Sequence, residues 1–239
     1  MSIYMQLKEV FKAADGKLWL TYKKREYPQN SRTSDVHLVF PKMRNGTIRM
    51  SEQEARLACV ESIMDTNMRY AIETPTMERY SFTNGGRALS ASTDLTIYEN
   101  DMTKTYNIEF KSKGSSPGRG DHRYIGKDFQ KLLREKPPGL WFHLLESVNN
   151  STLPNLLEVM AEEVHKVLSA KTLFKIKSPT LLIHVCVLKH QFSIEKPFDV
   201  KQLRSSSLEQ IKDQFSIDLT VSRTQLLQQN SLNGWSINP

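Results

Sequence analysis

A chain of 239 residues is long enough for one sizeable core with added ends, since domains usually run to ~100–200 residues. Hydrophobic residues at 38% and charged residues at 25% are ordinary globular values, and no apolar run approaches the ~20 residues a membrane-spanning helix needs, which argues against an integral membrane class. The formal net charge of +7 and a pI near 9.3 suit a polyanionic partner such as nucleic acid.

The start of the chain lacks the basic, apolar and small-residue succession of a secretory signal. Cys59 and Cys186 lie far apart, each in an apolar stretch, so a disulfide framework is not expected and a reducing, cytoplasmic setting is. Residues 18–22 and 36–40 read as β-like runs separated by a polar segment at 28–32, and residues 1–44 are expected to form a β-rich extension. Ser51 and Glu54 form a capping box that starts a helix, with Leu57, Val60, Ile63 and Met64 on its buried face and an end near Asp65 or Asn67.

Three strands follow at 69–74, 88–98 and 106–111, with turns at 84–86 and 100–101. After a Gly- and Ser-rich loop at 114–120, Phe129, Leu132 and Leu133 mark a helix over 125–135, which Pro137 and Pro138 stop. Residues 140–145 and 181–188 are nearly continuous in apolar residues and read as buried strands, with an amphipathic helix between them at 156–168. This order predicts an α/β core over 45–190, a mixed central sheet flanked by helices. From about residue 191 the composition turns to Ser, Gln and Lys, and residues 191–239 are expected to be a C-terminal appendage. The two terminal extensions are the expected docking points for a second copy or a partner protein.

The chemistry concentrates on one strand. Period two places Tyr106, Ile108 and Phe110 on one face, and Asn107, Glu109 and Lys111 on the other. Asp94 lies fifteen residues before Glu109. If the two strands pair as a hairpin through residues 99–104, Asp94 comes beside or just beyond Glu109 and Lys111. Two carboxylates suit Mg²⁺ or Mn²⁺, which binds through one or two carboxylates, waters and a phosphate oxygen. Such a metal activates water and neutralises a scissile phosphate, while Lys111 orients the water or stabilises the transition state.

These residues resemble the signature of the PD-(D/E)XK, or restriction-endonuclease-like, nuclease superfamily. Asp94 matches its first acidic position, Glu109-Phe110-Lys111 its Glu-x-Lys, and Thr93 stands where the motif name has proline. The likeness spans residues 51 to 147 in the order helix, three strands, helix, strand. It implies a restriction-endonuclease-like core and metal-dependent hydrolysis of phosphodiester bonds in nucleic acid, with DNA favoured over RNA. It also implies a further metal-binding glutamate from the first helix, either Glu54 or Glu61. The Asp128-x-x-Lys131-Leu132 stretch is similar to one that follows Glu-x-Lys in several such families. Lys113, Arg119, Arg123, Lys127 and Lys131 form a basic run after the site that is expected to follow a phosphate backbone.

The alternative is a non-catalytic nucleic-acid-binding or partner-docking protein on the same fold. The histidines lack paired metal spacing, and His184, inside an apolar run, is read as a core residue rather than a zinc ligand.

Overall fold

A computed structural model describes residues 3–26, 38–46, 48–80, 88–99, 101–113, 125–149, 151–170, 175–217 and 231–238. The chain begins with helix α1, Ile3–Glu26. Residues 18–22 are therefore helical, contrary to the β-like reading of that run. Trp19, Thr21 and Tyr22 favour strands locally, but Leu7, Val10, Phe11, Ala14, Leu18 and Tyr22 recur at helical spacing and are all buried. A stripe that long overrides a five-residue preference. Of the second expected run, residues 38–40 are not in a strand, and 36–37 lie outside the described residues.

Helix α2, Glu52–Met64, starts at Ser51 with the expected capping box and ends at Asp65. Val60 and Ile63 are buried as expected, whereas Leu57 and Met64 are exposed. The packed face is made of small residues instead, Ala55, Ala58, Cys59 and Ser62. Small side chains bring α2 close to α1 and to the sheet beneath.

Strands β1 (Arg69–Tyr80), β2 (Leu89–Tyr98) and β3 (Lys104–Lys113) form an antiparallel meander. Helix α3, Ile125–Arg134, crosses to β4, Gly139–Leu145, and helix α4, Thr152–Ser169, crosses to β5, Thr180–Val187. β3, β4 and β5 are parallel neighbours. A Cβ on Gly139 would lie 2.7 Å from Leu132 Cβ and 2.8 Å from its carbonyl oxygen, so only glycine lets β4 start so close under α3.

The carboxyl-terminal stretch is part of this core, not an appendage to it. β6 (Phe192–Asp199) pairs with β5, and helices α5 (Val200–Ser205) and α6 (Leu208–Phe215) follow. The hairpin β7 (Ser231–Leu232) and β8 (Trp235–Asn238) then joins β6. The eight strands make one mixed sheet, β1-β2-β3-β4-β5-β6-β8-β7.

Alternate strand residues feed two apolar layers. On one side Ile108, Phe110, Phe142 and Leu182 pack under α1 and α2. On the other, Trp141, Ile183, Phe198 and Trp235 pack with α3, α4, α5 and α6. At the outer edge, β1 carries Pro75, a left-handed Glu73 with φ of 52°, and a register shift between Pro75 and Arg79. No helix among the described residues is long and apolar enough to cross a membrane.

Candidate active site

β2 and β3 pair up to Leu95 and Ile108, so Asp94 and Glu109 occupy the next rung outward. There Asp94 replaces a backbone partner: the Phe110 N–H donates to Asp94 Oδ2 at 2.8 Å. The hairpin expected from sequence thus brings Asp94, Glu109 and Lys111 together toward the carboxyl end of β3. They lie on the side of the sheet covered by α3, which contributes Asp128 and Lys131.

Two lysines bind the carboxylates. Lys131 Nζ lies 2.6 Å from Glu109 Oε2 and 3.0 Å from Asp128 Oδ1. Lys111 Nζ lies 3.0 Å from Asp128 Oδ2 and 3.5 Å from Glu52 Oε2. Asp94, Glu109, Asp128 and Glu52 thus gather around Lys111 and Lys131, four carboxyls about two ammoniums in these contacts among the described residues. Glu109 is fully buried, and its Oε1 has no hydrogen-bond partner among the described residues.

Burial raises the Asp94 pKa above its ordinary value, against the opposing Phe110 N–H, Lys131 and Lys111. Burial pushes the Glu109 carboxyl up much further, with Asp128 and Asp94 adding to the shift and Lys131 opposing it. Burial alone would lower Lys111, but Asp128, Glu52 and Asp94 outweigh it and hold this ammonium well above its usual range. These carboxylates hold Lys111 as the ammonium.

The expected helix glutamates have other surroundings. Glu54 Oε2 accepts from the Ser51 N–H at 2.8 Å and from its hydroxyl at 2.5 Å, so this carboxylate is spent on the cap. Glu61 lies further along α2, half-buried, and no contact joins it to the cluster. The α2 carboxylate that does reach the cluster is Glu52, at the first helical position, through Lys111. Sequence spacing offered no reason to choose it over Glu54.

Of the expected basic run, Lys131 is buried, its side chain spent on Glu109, Asp128 and the Ser92 carbonyl. That placement conflicts with a surface phosphate contact in this state. Lys127 is exposed on α3. Arg119 and Arg123 lie outside the described residues, as does the 114–120 loop, and Lys113 ends β3 with its side chain outside them too.

Among the described residues no three acidic, histidine or cysteine side chains form a ready metal cage. The donor set nevertheless fits Mg²⁺, which needs only one or two protein carboxylates. Asp94, close enough to raise the Glu109 pKa, brings a second carboxylate to the orphaned Glu109 Oε1, and an unpartnered buried oxygen is costly unless something meets it. A separate cleft of about 780 Å³, lined by Met77, Lys104, Lys136, Pro137, Pro138 and Lys177 among others, lies past the far end of α3 and does not include this cluster.

Elsewhere, His184 does sit in the core, but with an unforeseen partner. Its Nε2 lies 3.1 Å from both Asp15 oxygens, which fastens α1 to β5. Both cysteines are free and buried. No protein-family model matches the chain, and neither does any curated protein or solved structure.

Proposed function

We propose that this protein is a metal-dependent nuclease of the restriction-endonuclease-like type, hydrolysing phosphodiester bonds of nucleic acid, with DNA as the favoured substrate. The observation that carries the reading is the rung shared by Asp94 and Glu109, with Glu109 Oε1 buried and unpartnered and Lys111 two positions on. The order α2-β1-β2-β3-α3-β4 is the one that superfamily uses, which supports the resemblance.

Asp94 and Glu109 would hold Mg²⁺ or Mn²⁺. Such a metal lowers the pKa of water and neutralises charge on a scissile phosphate. Asp94 is positioned for this by the Phe110 N–H, which fixes its carboxylate plane. Lys111 keeps its charge at neutral pH and is 29% exposed, so it can meet negative charge developing on the phosphate. Asp128 orients both lysines from α3. A cytoplasmic setting goes with this reading.

The test is cleavage of duplex DNA, with RNA in parallel, by the purified protein in Mg²⁺ or Mn²⁺. Activity should vanish with chelator and in folded Asp94→Ala and Lys111→Ala variants. Full activity in both variants removes the site. A non-catalytic, nucleic-acid-binding protein is the second reading, favoured by the lysines that already neutralise Glu109 and Asp128. Salt-sensitive binding without cleavage under any divalent metal would establish it.

A further inference from the structure

Lys131 has the surroundings of a bound cation. Its Nζ lies 2.6 Å from Glu109 Oε2, 3.0 Å from Asp128 Oδ1 and 3.0 Å from the Ser92 carbonyl oxygen. These three oxygens come from β3, α3 and β2. An ammonium has three protons to donate and no acceptor, so this cage saturates it. The side chain is only 10% exposed, and burial by itself would strip its charge; Glu109 and Asp128 keep it charged.

Lysine is a poor choice for filling a buried position unless its charge has a use there. The use is visible in what surrounds it: Glu109 is fully buried, and Asp94 and Asp128 both add to its electrostatic burden. Without a positive charge in reach, three carboxyls would crowd one end of the sheet. Resting on the metal-site reading above, we propose that Lys131 is a tethered counter-cation that competes with the divalent metal for Glu109. In the metal-free protein it holds the carboxylates in place. When metal binds, both cations draw on one carboxylate, so Lys131 sets the affinity low and keeps the empty site folded.

The arrangement differs from that of Lys111, whose partners are Asp128 and Glu52 and which makes no contact with Glu109. Two lysines separated by one helix carboxylate thus have different duties. Lys111 faces solvent and incoming phosphate; Lys131 faces the metal ligand from behind.

The test is Mn²⁺ binding to the full-length protein by calorimetry, for wild type, Lys131→Met and Glu109→Gln. Methionine keeps an unbranched stem out to Cε and removes the ammonium. Lys131→Met should melt lower than wild type without metal, yet bind Mn²⁺ at least about tenfold more tightly, the equivalent of about 1.4 kcal/mol. Glu109→Gln should lose the binding. Equal or weaker Mn²⁺ binding by Lys131→Met would overturn the Lys131 role alone, whereas no binding by wild type or Lys131→Met would overturn it together with the metal reading. Should Lys131→Met not fold, the ammonium resonance of Lys131 in wild type decides. Its saturated hydrogen bonds should make it visible in ¹H–¹⁵N spectra, and it should shift on titration with Mg²⁺. A signal unmoved at Mg²⁺ saturation overturns the proposal.

Discussion

The buried His184 cluster gives the molecule a pH-dependent stability that can be worked out in sign and size. Asp15 meets His184 Nε2 at 3.1 Å, Glu195 Oε2 lies 3.7 Å from its Nδ1, and Lys8 lies 2.6 Å from Glu195 Oε1. Burial opposes the imidazolium, but Asp15 and then Glu195 prevail, and the pKa is raised from 6.5 to about 9. The folded state therefore holds a proton that the unfolded chain releases anywhere between these values. The stabilisation is complete below the unfolded pKa and is lost as pH rises through the folded one. A shift of this size corresponds to roughly 3–4 kcal/mol at most, at ~1.4 kcal/mol per unit. In a protein of this length that is roughly 6–16 °C in Tm. Burial also pushes Cys59 and Cys186 up, so the unfolded thiols, ionising above about pH 8, add to the same fall, and the comparison with Asp15→Asn is read below that pH. Thermal melts from pH 6 to 9.5 should show the fall, and Asp15→Asn, which keeps the shape and removes the main carboxylate, should flatten it. A melting temperature that is level across that range in wild type, or that falls as steeply in Asp15→Asn, would refute the reasoning.

Three further outcomes follow from single contacts. Asp94→Asn retains an oxygen for the Phe110 N–H, so Tm should stay near wild type while DNA cleavage drops on the order of 10²-fold or more; a parallel loss of both would mean that Asp94 is mainly structural. Glu135 accepts from the Met77 and Glu78 N–H groups and from the Tyr80 hydroxyl. Glu135→Ala should cost roughly 1–3 kcal/mol and speed hydrogen exchange in the second half of β1, and unchanged exchange there would count against that anchor. Gly139→Ala should destabilise by roughly 1–3 kcal/mol in urea melts, because the new methyl meets the Leu132 backbone; a neutral result would mean that α3 shifts freely.

What the sequence made legible was local. Six alternating residues sufficed to put Glu109 and Lys111 on one face, and one capping box located the start of α2. Asp94 was within reach because a short turn leaves a hairpin little choice of register. Lys131 was legible only as part of a basic run, because its turn inward onto Glu109 and Asp128 depends on how α3 is rotated over β3, a contact made across a crossover. Glu52 was hidden by its neighbour: the glutamate that completes a capping box looks like the functional one, yet the cap is what occupies it. In α1 a short run of strand-favouring residues masked a helical stripe that only a longer window exposes. Ser207 and Gln210 form a capping box at the start of α6, a signal of the same kind that the reading of residues 191–239 as an appendage passed over. β8, by contrast, takes its place in the sheet from pairing with β6 far along the chain.

The two margins of the sheet differ in length but reach the same end. β7 has two residues, too few to template another strand. β1 is long, and among the described residues its row of backbone groups is broken by Pro75, by the left-handed Glu73, by the register shift beyond it and by Glu135, which takes the Met77 and Glu78 N–H groups. An incoming extended chain would find no continuous ladder on either side. Such blunt margins guard the native sheet against edge-to-edge addition of further strands, and they leave aggregation, should it occur, to partly unfolded forms.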